Sequence, residues 1–552
     1  MWLQPMRFLP HTIVLLVLMW CLSSALFLLP DGSIATAFPS VWGDWSLHMA
    51  HAWWFAEQSP AAWLDPRILR FDESFSYPPL INFISGMLLR AGFGIQAAML
   101  LPCVLFAGML GYGLNMLYRH AGARPWIAGF LPLALLLAGG TRGIASLAAW
   151  GIGKSGIIGD PSAVTNLPRL FDELEQPINK GLLAQAWLNP LFTLIIPQRT
   201  FLAGMALGSV SLLILLKCDR RGPRVRPFFA MSCLAFLLPL LAMAHVHSWL
   251  AVVCVLAVMV IRDSWGSPSA TLRIVRHWLR LTGPGLILSI AAISLTMPAI
   301  SGKVSGFGWA PGWMMREANQ SGIMFWLVNW NVLIPLVILA ALFSSDFRRD
   351  PCFLAGAVIF TVMNLVKLQP WSWDNSKLLF WSMLLLSLPL VRFFSRLRWK
   401  AIGVAAVVVF CSDGMLSLGH RIFQPGNPFV IWTASDQAIA AWAREKLPLD
   451  SLILSPSPVE HRFWSFALTG RRNVQAYGGW MWTHGLPVQP LQSRIEIMLA
   501  KPGENLAAMK GLGITHVAVP ENPGSLKIGF TELNQSFKLL ISFDNQAVFA
   551  IP

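Results

Sequence analysis

The chain has 552 residues, of which 55% are hydrophobic and only 12% charged, with a mean hydropathy of +0.58. Soluble domains carry roughly 25% charged residues, so the composition excludes a water-soluble globular protein and predicts a polytopic membrane protein. The formal net charge of +15 does not point to nucleic acid, because Lys and Arg fall in short clusters between apolar stretches and no basic patch interleaved with stacking aromatics occurs in a polar segment.

Arg7 precedes an apolar run from Thr12 to Leu29, which reads as an uncleaved first span. About a dozen residues further on comes Trp42-Gly43-Asp44-Trp45-Ser46-Leu47-His48, with His51 one turn later. On a helix, Asp44 and the imidazoles at i+4 and i+7 share one face. The flanking tryptophans suit a membrane–water interface, where a carboxylate can stay ionised and still reach a lipid-borne substrate. The same loop holds Asp65, Asp72, Glu73 and Tyr77-Pro78-Pro79-Leu80, whose prolines fix an extended approach to a helix start. The apolar piece 79–93 is expected to be a juxtamembrane or re-entrant helix. Making it a full span would place every later basic cluster outside.

Those clusters are Arg119 to Arg124, Lys217 to Arg226, Arg262 to Arg280, Arg348 with Arg349, and Arg392 to Lys400. Placing them inside predicts about eleven spans, near 11–29, 96–117, 126–140, 188–216, 228–243, 248–261, 281–298, 325–343, 353–367, 377–391 and 401–418. The N-terminus is then cytoplasmic and the C-terminus outside. Polar material collects on the outer side, in loop 30–94, in a second loop from Thr141 to about Gln185, around His245 and His247, in Lys303 to Gln320, and in Lys367 to Lys377.

Past Leu418 the character changes. Residues 419–552 hold 11 Lys/Arg against 9 Asp/Glu, and apolar 3.6-residue periodicity (436–447, 491–499, 505–512) alternates with short apolar runs (451–454, 515–519, 537–541, 547–551). A small extracytoplasmic α/β domain is predicted there, beside a membrane module covering 1–418. The seven cysteines all lie in or beside apolar segments with no CxxC, and none falls after Leu418, so no disulfide or thiolate metal site is expected in that domain.

Asp44 is the strongest candidate for a general base. Cations on the outer side are scarce, which singles out Arg199, in Gln198-Arg199-Thr200, and Lys377, three residues after Asp374. Each could hold an anion or simply snorkel to headgroups. His245-Val246-His247 could hydrogen-bond a sugar or carboxylate, bind a metal, or pack structurally. Tyr477-Gly478-Gly479-Trp480-Met481-Trp482-Thr483-His484 suits stacking on a sugar ring or an interface with the first loop. No GxSxG, HExxH, Walker loop or GxGxxG before a helix occurs.

A first span, an outer loop with an acid near its start and Tyr-Pro-Pro-Leu near its end, many further spans and an outer C-terminal domain together resemble the GT-C membrane glycosyltransferases. The residues carrying the resemblance are Gly43-Asp44, Tyr77 to Leu80, Gln198-Arg199 and Trp373 to Lys377. It implies an inner-membrane enzyme that moves a sugar from a polyprenyl-phosphate donor to a glycan, lipid or protein acceptor on the outer face. Asp44 would be the base, and Arg199 and Lys377 would hold the donor phosphate. His48, His51, Tyr77, Gln198, His245, His247, Asp374, Trp482 and His484 would bind substrate. Where such loops often carry a second acid, this chain has Trp45 and His48, so no metal is expected at the site and no cofactor is needed. The other readings are a transporter, flippase or polymerase-like carrier of lipid-linked glycans, and a non-enzymatic envelope assembly protein.

Overall fold

The computed structural model describes residues 9–141, 143–144, 187, 189–219, 226–297, 307–396, 400–423, 426–522 and 524–552. The second outer loop expected from Thr141 to Gln185 lies almost wholly outside the described residues, as does part of the Lys303 to Gln320 piece. Each of the eleven expected spans meets a helix, but their lengths differ. Among the described residues, seven helices are long and apolar enough to cross a membrane: Ile95–His120, Arg199–Lys217, Pro227–Ala244, Val246–Trp265, Pro268–Thr296, Ser376–Arg396 and Ala401–Phe423. An eighth candidate is broken: Gly322–Trp330 and Leu333–Phe343 meet at 105°. Asn331 makes that corner at φ 37°, with its side-chain amide donating to Gly139 O at 2.9 Å.

Three expected spans are short apolar helices, Leu9–Ala25, Pro125–Leu136 and Pro351–Leu365. At a rise of ~1.5 Å per residue none reaches the ~30 Å of a hydrocarbon core. The piece at 79–93 is the 11-residue helix Leu80–Arg90, about 16 Å long, which agrees with a helix that does not cross. The expected span 188–216 is divided: a π-turn over Leu191–Ile195 gives way at Pro197-Gln198 before the helix Arg199–Lys217 starts. Pro197 cannot donate to a helical ladder, so the chain turns there and Arg199 opens the new helix.

The helix Pro39–Glu57 is not a surface anchor. It begins with proline at its first position, and from Trp45 to Ala56 every residue is buried. Trp45 is fully buried, and its Nε1 donates to Pro197 O at 3.0 Å. This tryptophan therefore pins the helix to the break before Arg199 instead of meeting headgroups. Pro39–Glu57 lies against Leu80–Arg90 at the closest approach glycine permits: a Cβ on Gly86 would stand 2.6 Å from Ala52 O and 2.6 Å from Phe55 Cβ.

The last span runs to Phe423, and a strand begins at Phe429. This strand, β5 (Phe429–Trp432), pairs antiparallel with β2 (Ile34–Thr36), which pairs with β1 (Phe27–Leu28), so the terminal region is stitched to the segment that follows the first apolar helix. The expected α/β unit is a five-stranded sheet of β6 (Leu452–Leu454), β7 (Arg472–Asn473), β8 (His516–Pro520), β9 (Lys538–Phe543) and β10 (Gln546–Ala550), in the order β7-β6-β8-β10-β9. β6 is parallel to β7 and β8, and β10 is antiparallel to β8 and β9. The helices Ala434–Lys446, Leu491–Ala500 and Leu506–Gly511 match the three periodic stretches; the first starts with a Thr433–Asp436 capping box. A short antiparallel pair of two-residue strands, β3 (Gly308–Trp309) with β4 (Val366–Lys367), stands at the end of Pro351–Leu365 and leads into the loop before Ser376–Arg396.

Candidate active site

Asp44 lies half-buried in the first half of Pro39–Glu57 and has no hydrogen-bond partner among the described residues. Opposite it, the loop after β4 is held by Asn375, whose Oδ1 accepts from Leu368 N at 2.7 Å. That brings Asp374 to the N-terminus of Ser376–Arg396, where the helix dipole favours a negative charge. Lys377, one residue into the helix, donates to Asp374 Oδ1 at 2.9 Å, and both side chains keep some access to solvent (13% and 16%). Asp44 feels both. Burial and the nearby Asp374 charge push its carboxyl up to about 7, with Lys377 pulling the other way. Asp374 is also pushed up by burial, but the charge and hydrogen bond of Lys377 outweigh that and hold it below the usual carboxylate range. One carboxylate is thus kept ionised and its neighbour is poised to exchange a proton near neutrality.

Three further elements border this pair. His247, at the start of Val246–Trp265, meets Gln369 through its Nε2 at 3.2 Å. Tyr77 hydrogen-bonds Thr200 Oγ1 at 3.1 Å, and its ring lies 5.3 Å from Phe75 and 5.8 Å from His484. His484 reaches in from the terminal domain, its Nδ1 donating to Trp480 O at 2.8 Å. Burial lowers its pKa below the usual range, and the charges of Asp374 and Lys377 act on it in opposite directions.

Other expected site residues stand elsewhere. Arg199 is completely buried, and all five of its N–H groups are used within the protein: Nε on Cys103 Sγ (3.3 Å), Nη1 on Asn82 Oδ1 (3.1 Å) and Met99 Sδ (3.2 Å), Nη2 on Ser85 Oγ (2.6 Å) and Met99 O (2.8 Å). Its plane faces Trp45 at 5.4 Å. No donor is left for a phosphate, so the direct contact expected of Arg199 does not exist in this structure. His51 is sealed in an aromatic box of Phe55, Phe75 and Tyr77 at 4.7, 5.5 and 6.1 Å, behind the site. His48 shares an amide partner with it and lies 5.9 Å from Tyr77, on the site side. His245 is buried and caps its helix, accepting from Ser248 N at 3.2 Å. The expectation of substrate contact therefore falls on His247 and not on its neighbour. Gln198 is half-buried with no side-chain partner among the described residues. Trp482 points outward, 53% exposed; the buried tryptophan of that loop is Trp480, stacked on Phe466 at 5.5 Å. Among the described residues no group of three or more His, Cys, Asp or Glu side chains is arranged to hold a metal.

Sequence reasoning missed Asn82, Gln369, Asn375 and Phe75. Asn82 left a signal, since it and Ser85 are polar residues three apart in a helix, Leu80–Arg90, that is otherwise apolar up to its last residue, a spacing that puts both on one face.

No family model and no curated protein sequence matches the chain. Solved structures do match its fold. The arabinofuranosyltransferase AftD from Mycobacteria, in a mutant form, aligns with 99% of this chain and 41% of its own at 14% identity and a TM-score of 0.53. This chain therefore spans about two fifths of AftD. ArnT from Cupriavidus metallidurans, bound to undecaprenyl phosphate, aligns over 99% and 97% at 14% identity with a TM-score of 0.48. The oligosaccharyltransferase AglB from Archaeoglobus fulgidus, in complex with an inhibitory peptide and a dolichol-phosphate, aligns over 97% and 74% at 11% identity with a TM-score of 0.42. The chain has the GT-C fold.

Proposed function

We propose that this protein is a membrane glycosyltransferase that moves a sugar from a polyprenyl-phosphate donor to an acceptor hydroxyl on the extracytoplasmic face. The observation that carries the reading is Asp44: a half-buried carboxylate with no hydrogen-bond partner among the described residues, beside the Asp374–Lys377 pair, in a chain with the GT-C fold. Asp44 takes the proton of the acceptor hydroxyl as that oxygen bonds to the anomeric carbon. The bond from that carbon to the phosphate oxygen breaks, and its electron pair leaves with the lipid phosphate. Attack from the face opposite the leaving group inverts the anomeric centre. Lys377, paired with Asp374 at rest, leaves it to meet the developing phosphate charge, the change most useful in the transition state. Arg199 adds positive potential from behind His48 and Tyr77 without touching the donor. His247, Gln369, Tyr77 and His484 line the space for the sugar and acceptor.

The test is surface-glycan mass spectrometry on cells lacking the gene, complemented with wild type or Asp44→Asn at equal membrane levels. A sugar that disappears on deletion and returns only with wild type supports the assignment, and the lost mass identifies the donor. Full restoration by Asp44→Asn would remove Asp44 as base and favour a carrier that binds lipid-linked glycans without chemistry.

A further inference from the structure

Behind the site, a single amide joins the buried guanidinium to both imidazoles of Pro39–Glu57. Asn82 is fully buried. Its Oδ1 accepts from Arg199 Nη1 at 3.1 Å, and its Nδ2 lies 3.2 Å from His48 Nδ1 and 3.3 Å from His51 Nδ1. The guanidinium can only donate, so the amide oxygen must face it; turning the amide over would set two donors against each other. The Nδ2 hydrogens are then the only partners left for the two imidazoles. A nitrogen that accepts cannot carry a proton, so each ring must bear its proton on Nε2. The consequences differ between the rings. His51 Nε2 is buried without a hydrogen-bond partner among the described residues, inside its aromatic box. His48 stands one turn after Asp44 and within electrostatic reach of Lys377, and its Nε2 also has no protein partner among the described residues.

We propose that Asn82 is a positioning residue: clamped by Arg199, its amide locks His48 and His51 as neutral Nε2–H tautomers, so that His48 offers a hydrogen-bond donor to an oxygen of the bound substrate. An imidazolium here would put a third positive charge beside Arg199 and Lys377. The opposite tautomer would present a lone pair to a ligand rich in oxygen lone pairs. The relay removes both alternatives. Which oxygen His48 meets, phosphate or sugar hydroxyl, rests on the transferase reading; the tautomer does not.

The test reads ring nitrogens directly, by 15N NMR of the full chain labelled at histidine in lipid nanodiscs, with His48→Gln and His51→Gln to assign the two rings. In wild type at neutral pH both rings show a protonated Nε2 and a bare Nδ1. In Asn82→Asp the carboxylate accepts from Arg199 and from an imidazole at once, so at least one ring reverses to a protonated Nδ1. In Asn82→Leu the His48 ring becomes a mixture of tautomers. A bare Nε2 in wild type overturns the proposal, and so does an Asn82→Asp protein that keeps both Nδ1 atoms bare. Should a variant fail to fold, the wild-type spectrum alone decides the tautomer. Adding undecaprenyl phosphate separates the ligand sources. A shift of His48 Nε2 with the sugar-free lipid assigns it to phosphate, a shift only with a sugar-bearing lipid assigns it to the sugar, and no shift with either removes its role as a ligand donor. Wild-type protein that shows both Nε2–H tautomers but no transferase activity would instead count against the transferase reading and leave the tautomers standing.

Discussion

At the scale of single residues, Asp44 carries the largest consequence because its charged form is disfavoured by its surroundings. Its carboxyl is raised from the ordinary 3.8 to about 7. Between those values the folded state holds more protons than the unfolded one, so stability contributed at Asp44 is present at low pH and lost as pH rises through about 7. Asp44→Asn should therefore melt higher than wild type at pH 8, by an amount on the order of a few kcal/mol, and match it near pH 4. The same substitution should lower transfer by roughly 100- to 10,000-fold, the range of a lost general base. Gain in stability with loss of activity is what separates a functional acid from a structural one. The pH–rate profile is the second check. The acid limb belongs near 7 in wild type; Asp374→Asn, which deletes the charge that raises Asp44, moves it down, and Lys377→Met moves it up. Limbs that both move the same way would detach this pair from Asp44.

Helices translate these residue effects into geometry. Asp44, His48 and His51 all ride on Pro39–Glu57, and Asn82 on Leu80–Arg90, so their registration depends on the Gly86 crossing. Gly86→Ala puts a methyl 2.6 Å from Ala52 O and Phe55 Cβ, atoms of a buried helix that cannot swing aside. The expected result is a destabilisation of about 1–3 kcal/mol and activity reduced at unchanged membrane levels, measured by denaturation and by transfer assay. Gly43→Ala, on the same helix where a Cβ meets nothing within 4 Å, is the control. These elements also mark how far the sequence could be read. Hydropathy and basic clusters located every apolar helix, and periodicity placed three helices and four strands of the terminal domain, because both signals are local, while the short β5, β7 and the one- to two-turn helices at 464–467, 478–483 and 530–536 left no periodic signal. Asp44, Lys377, Asp374 and Tyr77 were legible for the same reason, as polar groups in conspicuous surroundings. The burial of Arg199 was not, since a cation opening a span looks the same whether it faces headgroups or an amide on another helix. Nor was the divided 188–216 segment: the polar Pro197-Gln198-Arg199 marks a candidate boundary, but the turn there is held by Trp45, about 150 residues away in the chain.

Across the whole molecule, the terminal domain grips the helix that carries Asp44 at both ends. Near its start, His461 Nε2 donates to Trp42 O at 3.2 Å and Arg462 lies over the Trp42 ring at 4.6 Å. Near its end, Arg444 lies over Trp53 at 3.9 Å, and Gly470, at φ 65°, lets the chain pass where a Cβ would stand 2.5 Å from Trp53 O. Gln58 donates to Gly470 O at 2.8 Å, and Arg471, only 2% exposed, pairs with Glu57 at 3.1 Å while donating to the carbonyls of Arg444, Leu447 and Thr469. A domain fastened this way does more than cover the site. It holds Pro39–Glu57 at both ends and sets His484 beside Tyr77. Arg471→Met leaves Glu57 and three carbonyls without their donor and should cost about 3–5 kcal/mol, the range for breaking a buried pair. Glu57→Gln in that background should return part of the loss, because the uncompensated charge is gone while the carbonyls still lack a partner. Hydrogen exchange should then rise in 39–57 and around His484 while β8 and β10 stay protected. Uniform loss of protection across the terminal sheet would make Arg471 a folding residue of that domain and not the fastening between it and the helix Pro39–Glu57.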